Sequence, residues 1–126
     1  EKSEADPVGD ALYHEVLQRD WRSAAALYDP QFFVESQIDS IQWAARQESM
    51  LEVLGDLQEY KLTGWTERKE SEVGEPGHFF QLQYIATYAR DTAAETFILK
   101  KPQGQDKVYI LSRSVNPARL FIEPSL

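Results

Sequence analysis

The stretch that decides the fold is Leu54-Gly55-Asp56-Leu57-Gln58-Glu59-Tyr60-Lys61-Leu62-Thr63-Gly64-Trp65, which follows an amphipathic segment over residues 40–54. Before Gly55 the apolar residues recur every three or four positions, as on one face of a helix. After Gly55 they alternate with polar residues, as in a half-buried strand, and extended patterns continue almost to the C-terminus. The sequence therefore predicts an α+β fold in which helices come first and an antiparallel sheet follows.

Length and composition predict a single domain over residues 1–126. The chain is 42% apolar and 12% aromatic, which is too much apolar surface for a disordered segment. Its 13 Lys and Arg against 21 Asp and Glu give a net charge of -8. Such a chain repels phosphates, so neither nucleic acid nor an anionic membrane surface is an expected partner. The sequence contains no cysteine, which excludes disulfides, thiolate nucleophiles and cysteine-based zinc sites.

The N-terminal half is predicted to form helices over residues 7–55, with residues 1–6 flexible at the chain end. The first helix is expected to begin at Asp6-Pro7 and to end near Arg19, because aspartate caps a helix and proline suits its first position. Asp20 is predicted to cap a second, short helix.

The third predicted helix begins between residues 36 and 40 and ends at Gly55, which serves as its C-cap. Pro30 is expected to block continuation of the second helix, and residues 32–34 are expected to form an apolar connection between helices. The core side of the third helix is predicted to consist of Ile41, Ala44, Ala45, Leu51 and Leu54, flanked by Trp43 and Met50. The tryptophans Trp21, Trp43 and Trp65 are all predicted to pack in the core, and a tryptophan-lined pocket is the alternative interpretation.

Four strands are predicted within residues 57–115, followed by a tail over residues 116–126. The strands cover residues 57–67, 78–90, 94–101 and 107–115, with a charged loop over residues 68–77. In the second strand one face carries Phe80, Leu82, Tyr84, Ala86 and Tyr88. This alternation predicts that Tyr84 and Tyr88 face the helices. No stretch of the sequence approaches the roughly 20 apolar residues that a membrane-spanning helix needs.

Three stretches carry a resemblance to known proteins: residues 54–65, Tyr84-Ile85-Ala86-Thr87-Tyr88 and Ala94-Glu95-Thr96-Phe97-Ile98-Leu99-Lys100. Helices followed by a four-stranded antiparallel meander are similar to the cystatin-like, nuclear transport factor 2-like fold, in which a curved sheet wraps a long helix and leaves a cone. The sheet half resembles a family of small, usually exported bacterial domains of uncharacterised function. The resemblance implies a periplasmic or lipoprotein-anchored protein whose leader precedes Glu1, and it transfers no activity.

Enzymes of this cone-shaped fold usually place an Asp, His or Tyr inside the cone. The residues predicted to line it here are Trp43, Tyr84, Tyr88, Glu95 and Tyr109. One interpretation is a small enzyme of the isomerase or hydratase type, in which Tyr84 or Tyr88 donates to an oxyanion and Glu95 is the base. The alternative, which we prefer, makes the tyrosines core residues and places Glu95 at the rim, paired with a Lys or Arg. No catalytic residue is then assigned, and no carboxylate is expected within hydrogen-bonding reach of either tyrosine.

The outer face of the sheet is the second candidate site. Its predicted residues are Gln81, Gln83, Ile85, Thr87, Thr96 and Ile98. A mixed polar and β-branched sheet surface of this kind is suited to pairing with a second copy, so a homodimer through the sheet face is an expected partner, beside a small apolar ligand in the cone.

Neither histidine, His14 nor His78, has the ligand spacing of a metal site, and the phosphate-cradle and nucleophile-elbow motifs are absent from the sequence. No cofactor and no metal are therefore expected. Together with the resemblance, which implies export from a bacterial cell, the sequence favours a non-catalytic binding or interaction domain. The alternatives are the small enzyme described above and a purely structural or envelope-accessory domain without a ligand.

Overall fold

The computed structural model describes residues 2–70 and 77–118, in which four helices precede four strands. The helices are α1 (Lys2–Gln18), α2 (Trp21–Ala25), α3 (Pro30–Ser36) and α4 (Ser40–Leu54), and the strands are β1 (Leu57–Glu70), β2 (Gly77–Tyr88), β3 (Thr92–Pro102) and β4 (Tyr109–Pro117). The strands form one antiparallel meander in the order β1-β2-β3-β4. The predicted α+β class, with N-terminal helices packed on a four-stranded antiparallel sheet, is confirmed. Most of the predicted loop over residues 68–77 and of the C-terminal tail lies outside the described residues.

Helix α1 begins earlier than predicted. It starts at Lys2 and contains Pro7, so the expectation of a flexible segment followed by an Asp6 cap was wrong for the described residues. Tertiary contacts explain the difference, since Ala5 is fully buried and the Glu4 carboxylate accepts a hydrogen bond from Lys101 Nζ at 2.5 Å. These contacts hold the first turns in place although proline removes one backbone donor from the helix.

Aspartates cap the three later helices. Asp20 accepts from the backbone N–H of Ser23, as predicted for α2. Asp29 caps α3, and Pro30 stands at its first position, so the segment predicted as a connection is a short helix that proline opens. Asp39 caps α4 through a capping box with Gln42.

Gly55 ends α4, as predicted. Its φ of 85° is a conformation that side chains disfavour. A Cβ atom at this position would also lie 2.7 Å from the Cβ of Ala89. The turn from helix to sheet therefore requires a glycine for both conformational and steric reasons.

The core lies between the helices and one face of the sheet. On β2 the five apolar-face residues Phe80, Leu82, Tyr84, Ala86 and Tyr88 are all buried, which confirms the predicted register. On α4 the buried residues are Trp43, Leu51 and Leu54, whereas Ile41 is 80% exposed. The predicted stripe was thus rotated at its start, because Trp43, not Ile41, packs against the aromatic rings of Trp21, Tyr28 and Phe33.

An extra residue in β4 and the open edge of the sheet at β1 account for two differences from the predicted strand positions. Ile98 of β3 pairs with Ser112 of β4, whereas the next residue, Leu99, pairs with Ile110. Leu111 is therefore an extra, unpaired residue in β4, and Ile110 faces the core. Tyr109 pairs with Lys100 on the opposite face, which a strict alternation along β4 does not predict. On the edge strand β1, Trp65 is 45% exposed, so the prediction that it packs in the core was wrong.

Candidate functional site

A buried carboxylate is the most unusual feature of the core. Glu95 is 1% exposed and lies on the helix-facing side of β3, beside the buried Phe97 and Leu99. The sequence predicted Glu95 at the rim of the sheet, and the structure contradicts this. The strand pairing places Glu95 directly opposite Tyr84 of β2 and Val115 of β4, so its neighbours on both sides cover it.

Four polar contacts surround the Glu95 carboxylate. The Tyr13 hydroxyl of α1 donates to Oε1 at 2.8 Å, and the Tyr88 hydroxyl of β2 donates to Oε2. Arg113 of β4 donates from Nε to Oε1 at 3.0 Å, and its Nη2 lies 2.8 Å from the same oxygen. The expectation that no carboxylate lies within reach of Tyr88 was therefore wrong.

The Arg113 side chain links the buried carboxylate to α4. It is 3% exposed, and its Nη1 donates to Gln47 Oε1 at 3.2 Å while its Nη2 donates to the Tyr88 hydroxyl at 3.2 Å. The guanidinium also lies over the rings of Tyr13 and Phe97, at 5.7 and 5.8 Å from their centroids. Both charges of the pair thus have the additional hydrogen bonds that burial requires.

The electrostatics of this cluster favour a fixed protonation pattern. Burial, together with the charge of Glu95, raises the pKa of Tyr13 well above its usual range, and burial raises the pKa of Tyr88 in the same way. For Arg113, burial disfavours the charged form, but the Glu95 carboxylate together with Tyr88, Tyr28 and Tyr13 outweighs burial and raises the pKa. The cluster therefore holds neutral tyrosines around an ion pair.

A groove lies on the other side of Arg113, between α3, α4 and β4. Its volume is about 460 Å³, and its apolar lining consists of Tyr28, Phe32, Ile38, Trp43, Met50 and Val115. Its polar lining consists of Ser36, Arg46, Gln47 and Arg113. A volume of this size is within the range of pockets that hold small molecules.

Regular spacing on each element builds the groove. On α4 the lining residues Trp43, Arg46, Gln47 and Met50 follow the i, i+3, i+4, i+7 pattern of one helix face. On β4 the lining residues are Arg113 and Val115, two positions apart on one face of the strand. The buried ion pair thus forms part of the groove floor through Arg113, while Glu95 stays beneath it.

The structure does not bring together all five residues predicted to line a cone. Trp43 lines the groove, while Tyr88 and Glu95 belong to the buried cluster. Tyr84 packs against Tyr13 at 5.1 Å between ring centroids, and Tyr109 lies on the outer face. The alternation of β3 places Glu95 on the same face as Phe97 and Leu99, so its position on the helix-facing side could have been predicted. Nothing in the sequence indicated that Tyr13 or Gln47 belongs to the site.

The six residues of the predicted outer face share that face, because the register pairs Gln81 with Ile98 and Gln83 with Thr96. Ile85 is 39% exposed there.

Within residues 2–70 and 77–118, no group of three or more His, Cys, Asp and Glu side chains is arranged to hold a metal ion. The helices of the same region include none that is long and apolar enough to cross a membrane. No protein-family model matches the chain, and comparisons with curated proteins and with solved structures found no match either.

Proposed function

We propose that this protein is a non-catalytic binding domain of an exported bacterial protein and that the groove between α3, α4 and β4 binds a small apolar ligand. The observation that carries the proposal is the construction of the groove: six apolar residues from α3, α4, β4 and the connections on either side of α3 surround a floor that the Glu95–Arg113 pair fixes. A rigid floor lowers the ordering cost of binding. The proposal of export rests on the resemblance of the sheet half to exported domains of the cystatin-like plan.

An enzyme of the isomerase or hydratase type is the alternative, and the hydrogen bond between Tyr88 and Glu95 favours it. Three observations count against it. The carboxylate is covered, both neighbouring tyrosine hydroxyls donate to it, and Arg113 contacts it as well. A general base needs an oxygen within reach of a substrate proton, and Glu95 offers its oxygens to protein donors instead.

The groove can be tested with an uncharged fluorescent probe, N-phenylnaphthylamine, whose emission increases in apolar surroundings. Ser36→Phe places a ring at the groove wall from an exposed position on α3. Gln31→Phe adds the same ring to the same helix outside the groove and serves as the matched control. We expect Ser36→Phe to weaken probe binding at least about ten-fold, which is roughly 1.4 kcal/mol, and Gln31→Phe to leave it unchanged. Equal binding by both variants, or no binding by the unmodified protein, would contradict the proposal.

The outer sheet face is proposed as the surface for a homodimer. The exposed Ile85 stands there among polar and β-branched neighbours, and a shallow depression beside it is lined by Glu59, Lys61, Thr63 and Thr87. Sedimentation equilibrium of the unmodified chain and of Ile85→Arg tests this directly. The proposal is supported if the unmodified chain is a dimer and Ile85→Arg is a monomer. It is contradicted if the unmodified chain is a monomer at high protein concentration.

A further inference from the structure

We infer that the ligand of the groove is a small organic acid, with an apolar body held by the aromatic wall and one carboxylate held by Arg46 and Gln47. This inference rests on the proposed function and adds the chemical class of the ligand to it.

The charged residues that line the groove are both arginines. Arg46 and Arg113 are the two charged residues that line the groove, and no carboxylate of the described residues lines it. The charge of Arg113 is offset by Glu95 beneath the floor. Arg46 is exposed at the rim and forms no ion pair with a described residue. The groove therefore carries an uncompensated positive charge in a chain whose net charge is -8, and a ligand with one negative charge complements it.

The lining of the groove also presents hydrogen-bond donors from Gln47 and Arg46. Gln47 uses its amide oxygen to accept from Arg113 Nη1, and this contact fixes the orientation of the amide because a guanidinium cannot accept. The amide nitrogen of Gln47 then has two N–H donors and no acceptor among the described residues. Arg46 adds further donors one residue away on the same lining face. A carboxylate satisfies neighbouring donors without offering any of its own, and its hydrogen bonds to a guanidinium are charge-assisted.

The aromatic lining of the groove is suited to the apolar body of such a ligand. Tyr28, Phe32 and Trp43 line the groove, and Tyr28 contacts the other two rings, at 4.8 Å from Phe32 and 5.1 Å from Trp43 between centroids. Aromatic side chains offer a large apolar surface against which a ring or a short hydrocarbon chain packs. About 460 Å³ holds such a body together with one carboxylate.

The test compares two probes that share an apolar body and differ in charge: naphthylacetic acid and its neutral amide, naphthylacetamide. Calorimetry at low salt should show the acid binding about ten-fold or more tighter than the amide, the size of one charge-assisted hydrogen bond. Arg46→Gln should abolish this difference without weakening amide binding, and Arg22→Gln on the exposed surface of α2 should leave it intact. Equal affinities of the unmodified protein for acid and amide would overturn the inference while leaving the groove as a binding site. A preference for the acid that survives Arg46→Gln would also overturn it, and failure of both probes to bind would remove the proposed function itself.

Discussion

Glu95 and Arg113 stand on neighbouring strands, two pairing positions out of direct register, and their side chains meet at 2.8 Å with exposures of 0% and 3%. Arg113 lies opposite Phe97, so the pair is diagonal across the β3–β4 ladder. The two residues connect α1 and β2, through Tyr13 and Tyr88, to the floor of the groove. The same ion pair thus joins the core of the protein to the lining of the groove.

We expect Arg113→Met to lower the free energy of unfolding by about 3–5 kcal/mol, because it leaves the Glu95 charge buried without its partner. Adding Glu95→Gln to Arg113→Met should restore part of the loss, since the amide still accepts a hydrogen bond and carries no charge. Urea denaturation of the three proteins measures both effects.

The exposed ion pair between Arg19 and Glu48 supplies the control for this prediction. Its side chains are 41% and 43% exposed, so Arg19→Met should cost less than about 1 kcal/mol. If Arg113→Met were no more destabilising than Arg19→Met, the buried pair would not have the structural role assigned to it.

We expect the buried tyrosines to ionise at a higher pH than free tyrosine. Burial raises the pKa of Tyr28 to about 12 and that of Tyr13, Tyr84 and Tyr88 above the usual range. A raised folded-state pKa favours the protonated form, so this stabilisation is complete below about pH 10 and is lost as the pH rises through the folded values. Burial also raises the pKa of Tyr60. At alkaline pH the tyrosinate absorbance of the native protein should therefore be lower than that of the urea-unfolded chain, with about five of the six tyrosines ionising late. Coincident titration curves would show that these hydroxyls are not buried.

Leu54 tests the packing at the junction of helix and sheet. It is 1% exposed, and Leu54→Ala should destabilise the protein by about 2–5 kcal/mol, the range for truncating a buried leucine. The neighbouring Val53 is 53% exposed, so Val53→Ala should change the denaturation midpoint little. Similar midpoints for the two variants would contradict the placement of Leu54 in the core.

Local patterns in the sequence were sufficient to predict that helices precede the sheet and to predict the register of β2, although helix α3 was missed. The change of period at Gly55 and the alternation from Phe80 to Tyr88 each involve neighbouring residues, and both predictions were confirmed. The start of α1 could not be predicted in the same way, because it depends on the contact between Glu4 and Lys101. That contact joins residues 97 positions apart.

The candidate site was predictable only in part for the same reason. Trp43 was identified, but the partners of Glu95 lie 82, 7 and 18 positions away along the chain. The extra residue Leu111 also places Tyr109 on the outer face of the sheet, opposite to the face predicted for it. Sequence periodicity predicts which face a residue takes within one regular element, and it contains no signal for a bulge or for pairing between distant elements.

Gly9 provides the last test, since it lies where α1 crosses β2. Replacing glycine by alanine inside a helix usually stabilises the protein by up to about 1 kcal/mol. Here a Cβ atom would overlap the Tyr84 hydroxyl oxygen and lie 3.1 Å from its ring Cζ, and Tyr84 is itself buried. We therefore expect Gly9→Ala to destabilise the protein by about 1–3 kcal/mol, as overpacking does.

The Gly9→Ala/Tyr84→Phe double variant separates overlap with the hydroxyl from other causes. Removing the hydroxyl relieves the shortest contact, so the double variant should be more stable than the sum of the two single effects predicts. Urea denaturation of the four proteins in this cycle gives the coupling energy directly. A coupling energy of zero would mean that α1 does not approach β2 at Tyr84 as closely as the structure places it.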